Sequence, residues 1–163
     1  MHLNTISSRL TASLLFAAAI NASMGCVVNA PPAYGGATGP MQTVSVDATT
    51  FPSGPTSITI PPGTSAMIQA NGVWSVAGSY GMFGAEGSHE AQRFEAGALL
   101  PSSPMGMLIG SFDGTSWFPI GLGPTRVTGA GSGRLWLSAN DSMPASNFSD
   151  NSGALNVLVT PVR

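Results

Sequence analysis

The chain alternates apolar and polar residues over short stretches that end at turn-forming residues. Residues 44–46 and 58–60 alternate, and residues 134–138 are a further strand candidate; a period of two places successive side chains on opposite faces of an extended strand. Pro62-Gly63, Asn71-Gly72 and Asp113-Gly114 predict turns. The pattern predicts about eight short strands, and therefore an all-β chain. The remaining strand candidates are residues 66–70, 73–76, 105–112, 117–120, 126–128 and 154–160.

The composition, together with the strand pattern, favours a β-sandwich or jelly roll. The 21 glycines and 13 prolines among 163 residues argue against long helices, because both residues interrupt helical hydrogen bonding. Apolar residues make up 43% of the chain and charged residues only 7%, which is not the composition of a disordered protein. The net charge of −2 and the absence of lysine leave no basic surface, so nucleic acid is not an expected partner.

The first 40 residues differ from the rest and predict an export signal followed by a tether. Arg9 precedes an apolar run over residues 10–20, which has the length of a signal-peptide core and is too short for a stable membrane span. Residues 1–25 are therefore predicted to be a signal peptide, and the Ala-, Gly- and Pro-rich residues 26–40 a flexible tether. The folded domain is predicted over residues 41–163, in a protein that is secreted or held at the cell envelope.

Cys26 is the only cysteine, so it cannot form an intramolecular disulfide. It follows Gly25 after the apolar run and resembles the acylated first residue of a bacterial lipoprotein, although Ser23 stands where that motif usually has leucine. Ordinary signal cleavage, for instance after Ala22, is the alternative. We favour lipidation at Cys26, and this lipid anchor would be the only contact with a membrane.

Catalytic residues are sparse along the chain. His89 is the only histidine outside the predicted leader, and no nucleophile elbow or zinc-ligand spacing is present. Glu86, Glu90 and Glu95 could supply a carboxylate pair for a glycosidase, but the spacing from Glu86 to Glu90 is more simply that of a solvated loop or helical turn. A non-catalytic role is favoured, with the glycosidase as an alternative.

Aromatic residues offer a different way to hold a sugar, by stacking. Trp74 and Trp136 lie within strand patterns and are predicted to pack in the core. Trp117, which follows an Asp-Gly turn, is the best candidate for an exposed ring.

Oxygen-bearing side chains concentrate in residues 140–153, between two predicted strands. These are Asn140, Asp141, Asn147, Asp150 and Asn151. Carboxylate and amide oxygens are typical ligands of calcium, and a loop that returns on itself can bring both of its ends to one ion. The same residue types are common in metal-free loops, where they cap backbone groups. Composition alone leaves both interpretations open.

The order of residues in this loop resembles the calcium loop of the bacterial galactose-binding PA-I (LecA-like) lectins. Asn140-Asp141, Pro144 and residues 147–153 follow the order of that loop. Upstream, Pro62-Gly63, residues 70–74 and residues 83–87 stand in the order found in the family. The resemblance covers residues 58–159. It implies a galactose-binding-domain-like sandwich that binds calcium and, through the calcium, a galactoside, and it suggests a multimeric protein.

The resemblance also implies a ligand set. Asp141, Asp150 and Asn151 would give side-chain oxygens to calcium, and Ala77 and Asn147 would give backbone carbonyls. Sugar hydroxyls would contact the same three side chains.

The chain departs from the family pattern at the sugar-contacting loop. That loop is shorter here, and His89 lies one position from the expected histidine. We name His89 as a sugar contact but leave the sugar specificity open. The alternative function is that of a structural envelope lipoprotein, whose loop is calcium-stabilised or metal-free.

Overall fold

The computed structural model describes residues 39–89 and 95–163. The predicted signal peptide, Cys26 and most of the predicted tether lie outside these residues, as do residues 90–94. No helix within the described ranges is long and apolar enough to cross a membrane.

The described residues form seven strands in two antiparallel sheets. The first sheet has the order β1-β7-β2-β5 and the second has the order β4-β3-β6. Two short 3₁₀ turns, Gly78–Tyr80 and Ala145–Asp150, lie between strands. The strands are β1 (Gln42–Asp47), β2 (Ser65–Ser75), β3 (Leu108–Ser111), β4 (Trp117–Pro119), β5 (Thr125–Thr128), β6 (Trp136–Ala139) and β7 (Ser152–Val162).

Apolar side chains from both sheets form one core. Every second residue of β2 from Ala66 to Ala70 is buried, and the same alternation buries Val157 and Val159 on β7. Residues of the second sheet, such as Leu108, belong to the same cluster. Burial of one face of each sheet is the arrangement of a sandwich. The predicted all-β sandwich is confirmed.

The Asn71-Gly72 dipeptide does not form the predicted turn, and that prediction is wrong. Strand β2 continues through it, with Asn71 opposite Asn156 and Gly72 opposite Leu155 on β7. Gly72 has φ 112°, and a Cβ there would lie 2.7 Å from the carbonyl oxygen of Ala154. The glycine is needed because the neighbouring backbone approaches closely within the sheet.

Residues 58–60 also do not form the strand that their alternation predicted. Thr59 makes a single bridge to Arg134, although Ile58 and Ile60 are buried in the core as the alternation requires. The predicted burial of alternate side chains is therefore correct, but these residues do not form the backbone hydrogen-bond ladder of a strand. This segment accounts for one difference between the predicted and observed strands.

The tryptophans divide between the core and its margin. Trp74 is fully buried, and its indole Nε1 donates to the carbonyl of Gly106 at 2.8 Å. Trp136 is half-buried and borders the turn at Gly114, so it is less enclosed than predicted. Trp117 is also half-buried, on β4 at the edge of the second sheet.

Candidate functional site

Residues 140–151 connect β6 of the second sheet to β7 of the first. A connection between the two sheets must lie at one end of the sandwich. The loop is bounded by Ala139 and Ser152, the adjoining ends of those two strands.

Hydrogen bonds from the side chain of Asn140 hold the start of this loop against residues 100–104. The Asn140 side chain is fully buried, and Nδ2 donates to the carbonyls of Leu100, Ser103 and Pro104 at 3.0 Å each. Its Oδ1 accepts from the Leu100 amide at 2.8 Å. The side chain of Asn140 is therefore occupied by structural hydrogen bonds.

Phe148 fastens the middle of the loop. It lies in the 3₁₀ turn Ala145–Asp150, is fully buried, and packs edge-on against Phe51 with ring centroids 5.4 Å apart. The neighbouring Asn147 and Asp150 are exposed. Burial of the aromatic ring thus fixes the turn while leaving polar groups on both sides of it accessible.

A cavity of about 320 Å³ opens beside this loop. Three of the predicted ligand residues, Asp141, Asn147 and Asp150, line it together, and Glu95 adds a third carboxylate. The other lining residues are Val76, Tyr80, Met105, Ser142, Ser146 and Ser149.

Asp141 is a buried carboxylate in the wall of this cavity, with 4% of its surface exposed. Its Oδ1 accepts from the Ser142 amide at 2.7 Å, and its Oδ2 accepts from Asn151 Nδ2 at 2.9 Å. Burial raises the pKa of Asp141, and the nearby charges of Asp150 and Glu95 raise it further, against the effect of the two hydrogen bonds. No positive side chain within the described residues offsets this buried charge.

Asn151 lies beside Asp141 and is equally enclosed, with 6% of its surface exposed. Its Nδ2 also donates to the Ala48 carbonyl at 2.9 Å. Its Oδ1 is buried and has no hydrogen-bond partner among the described residues. Leaving such an atom unsatisfied costs about 1–3 kcal/mol. A cation would satisfy both the charge of Asp141 and this oxygen, so the residues present fit calcium.

Side chains of the metal-binding types do not form a complete site by themselves. Within residues 39–89 and 95–163, no three His, Cys, Asp or Glu side chains are grouped closely enough to hold a metal. Calcium also accepts amide and backbone carbonyl oxygens. The fit therefore depends on Asn151 and on carbonyl groups as well as on the carboxylates.

The structure places two other predicted residues less directly. Ala77 follows β2, and its carbonyl accepts a hydrogen bond from the Ser75 hydroxyl at 2.6 Å. Its neighbour Val76 lines the cavity that contains Asp141, Asp150 and Glu95, hereafter the carboxylate cavity, but Ala77 does not. His89 is exposed and lines a second cavity, of about 610 Å³, that shares Tyr80 with the first. A calcium role for Ala77 and a sugar contact for His89 stay predictions.

Glu95 is the carboxylate of this cavity that the sequence did not assign to calcium or sugar. Its Oε2 accepts a hydrogen bond from the Ser142 hydroxyl. An antiparallel bridge between Ala98 and Ser142, and the bond from the Leu99 amide to the Asp141 carbonyl, bring the two distant segments together. No local pattern in the sequence predicts this pairing.

The carboxylate pair of the glycosidase alternative is not assembled in the cavity. Glu86 lies outside the residues that line it, with its Oε1 4.0 Å from His89 Nε2. Glu90 lies outside the described residues. Glu86 and Glu95 therefore do not flank a common substrate position in this cavity.

No protein-family model matches the chain, and no curated protein matches it. A solved structure, the N-terminal domain of EclA, described as a PllA-like lectin, is similar with a TM-score of 0.55 and 21% sequence identity. The similarity covers 73% of this chain and 94% of that chain. The chain shares the fold of a PllA-like lectin domain. At this identity the similarity concerns the fold alone, an all-β sandwich with almost no helix.

Proposed function

We propose that this protein binds carbohydrate through calcium and is not an enzyme, with galactosides as the first ligands to test. The observation that carries the proposal is a buried carboxylate, Asp141, in the wall of an open cavity. It accepts a hydrogen bond from Nδ2 of Asn151, whose buried Oδ1 has no hydrogen-bond partner among the described residues. The shared fold with a PllA-like lectin domain supports a sugar as the ligand. The order of residues in the loop supports calcium as the ion.

The enclosed oxygens and the exposed oxygens of the site would have different roles in binding. Asp141 and the Asn151 Oδ1 are enclosed and would hold the cation from the protein side. Asp150 and Asn147 are exposed. The Asp150 carboxylate would therefore ligate the ion from the open side and accept hydrogen bonds from sugar hydroxyls, and the carbonyl of Asn147 would complete the ligand set. Ala77 would add the other carbonyl. His89, across Tyr80 from this cavity, would contact the bound sugar from the side.

A bound cation would overcome a general difficulty of sugar binding. Sugar hydroxyls are well hydrated, so a shallow protein surface gains little by replacing their hydrogen bonds to water. Bound calcium would supply open coordination positions to two neighbouring hydroxyls. Asp141, Asp150 and Asn151 then orient those hydroxyls, and loss of one carboxylate removes both the ion and the hydroxyl contacts.

A glycan array in calcium and in chelator identifies the ligand class, and titration calorimetry then measures affinity for the sugars found. We expect Asp141→Asn and Asp150→Ala to abolish binding. Trp117→Ala is the matched control, because Trp117 does not line the carboxylate cavity and its loss should weaken binding modestly at most. Chromogenic galactosides should not be hydrolysed.

Two outcomes would contradict the calcium mechanism. One is a sugar affinity that survives chelator, and the other is an affinity that is lost with Trp117 but kept without Asp141. Absence of binding to any glycan, with and without calcium, would favour the structural envelope role instead.

A further inference from the structure

We propose that Glu95 sets the charge preference of the sugar site, so that the site favours sugars with a protonated amine and disfavours sugars with a carboxylate. The inference rests on the proposed function and deepens it, because it names which chemical class of sugar the site takes. It starts from a residue that lies in the cavity but outside the implied calcium ligand set.

Glu95 is held in the cavity by the same residue that contacts the buried carboxylate. Ser142 donates its backbone N–H to Asp141 and its hydroxyl to Glu95. Glu95 is half-buried and lines the cavity, so its carboxylate can face a bound sugar.

Charge counting shows why this third carboxylate matters. Asp141 and Asp150 together balance the double positive charge of one calcium ion, so Glu95 leaves the occupied site with one negative charge in excess. Within the described residues, the lining of the cavity contains no Arg, Lys or His to cancel it. The partnerless Oδ1 of Asn151, buried beside Asp141, independently indicates that a cation belongs there.

The expected effect is moderate because Glu95 is partly exposed. A unit charge several ångströms away, in the dielectric of a partly solvated cavity, changes the binding constant of a charged ligand by about three- to tenfold. The effect should have opposite signs for an amine and a carboxylate. It should shrink at high salt, because exposed charges are screened over a Debye length.

The test compares galactose, galactosamine and galacturonic acid by titration calorimetry. The measurements use excess calcium, low salt and neutral pH, where the amine is largely protonated. In the full chain we expect galactosamine to bind more tightly than galactose, and galacturonic acid more weakly. Glu95→Gln keeps the shape of the side chain and removes the charge. It should weaken galactosamine binding and strengthen galacturonic acid binding about three- to tenfold each, with galactose changed less than about twofold.

Asp113→Asn is the control, because Asp113 is an exposed carboxylate in the turn between β3 and β4 and lies outside both cavities. It should leave all three affinities unchanged. Unchanged ratios among the three sugars in Glu95→Gln would overturn the inference while leaving calcium-dependent binding intact. Loss of calcium binding in Glu95→Gln would also overturn it, because Glu95 would then be a ligand of the ion. Failure of the unmodified protein to bind any of the three sugars in calcium would overturn the galactoside proposal itself.

Discussion

Replacing Asp141 with asparagine tests whether the buried carboxylate exists to hold a cation. The amide has nearly the same shape, and its oxygen can still accept from the Ser142 amide. Its new NH₂ would face Asn151 Nδ2, so one charge-assisted hydrogen bond worth about 1.5–3 kcal/mol is lost. Removal of a carboxylate whose pKa is raised by burial offsets part of that loss.

The two effects oppose each other, so the metal-free variant should be nearly as stable as the unmodified protein. Calcium should raise the stability of the unmodified protein but not that of the Asp141→Asn variant. A ligand present at 100 times its dissociation constant stabilises the native state by about 2.7 kcal/mol. In a domain of this size, that free energy raises the melting temperature by roughly 10 °C. We expect this rise in the unmodified protein and none in Asp141→Asn.

Thermal denaturation followed by circular dichroism, in chelator and in millimolar calcium, measures both quantities. Asp150→Ala should also lose the response to calcium. Asp47→Asn is the matched control, because Asp47 bonds Thr49 outside the carboxylate cavity and should not affect the response. An unmodified protein that does not respond to millimolar calcium, or an Asp141→Asn variant that responds equally, would refute the assignment of a cation site.

Three further predictions concern the loop, the turn and the N-terminus. Phe148→Ala should lower the free energy of unfolding by about 3–5 kcal/mol, because it empties a fully buried position against Phe51; a urea-denaturation loss below about 1 kcal/mol would contradict this. Backbone N–H groups of Ser116 and Thr115 hold the pKa of Asp113 well below its ordinary value of 3.8. The stabilisation from ionised Asp113 should therefore be complete above 3.8 and should decline progressively as the pH falls from 3.8 toward the lowered pKa of the folded state. Asp113→Asn should be less stable than the unmodified protein at neutral pH, and the gap should close as the pH falls below 3.8; a gap that widens in acid would count against it. Cys26→Ser should abolish labelling by a fatty-acid analogue and release the protein from membranes, and unchanged labelling would rule out lipidation there.

The sequence by itself determined the class of fold and the position of the loop. Alternation with a period of two is a local property of the chain, and it correctly marked the buried faces of β2 and β7. The concentration of Asn and Asp between residues 140 and 151 is equally local. It predicted a loop whose Asp141 and Asp150 meet at one cavity. Export, lipidation and calcium binding stay predictions.

Only the tertiary structure decided which distant groups share the site. The sequence predicts a turn at Gly72, but pairing with β7 keeps Gly72 within strand β2. The side chain of Asn151, which contacts Asp141, is held by the carbonyl of Ala48, 103 positions away along the chain. Glu95 enters the cavity through Ser142, across a separation of 47 residues. Desolvation and charge proximity depend on distances in space, so a local pattern of residues cannot specify them.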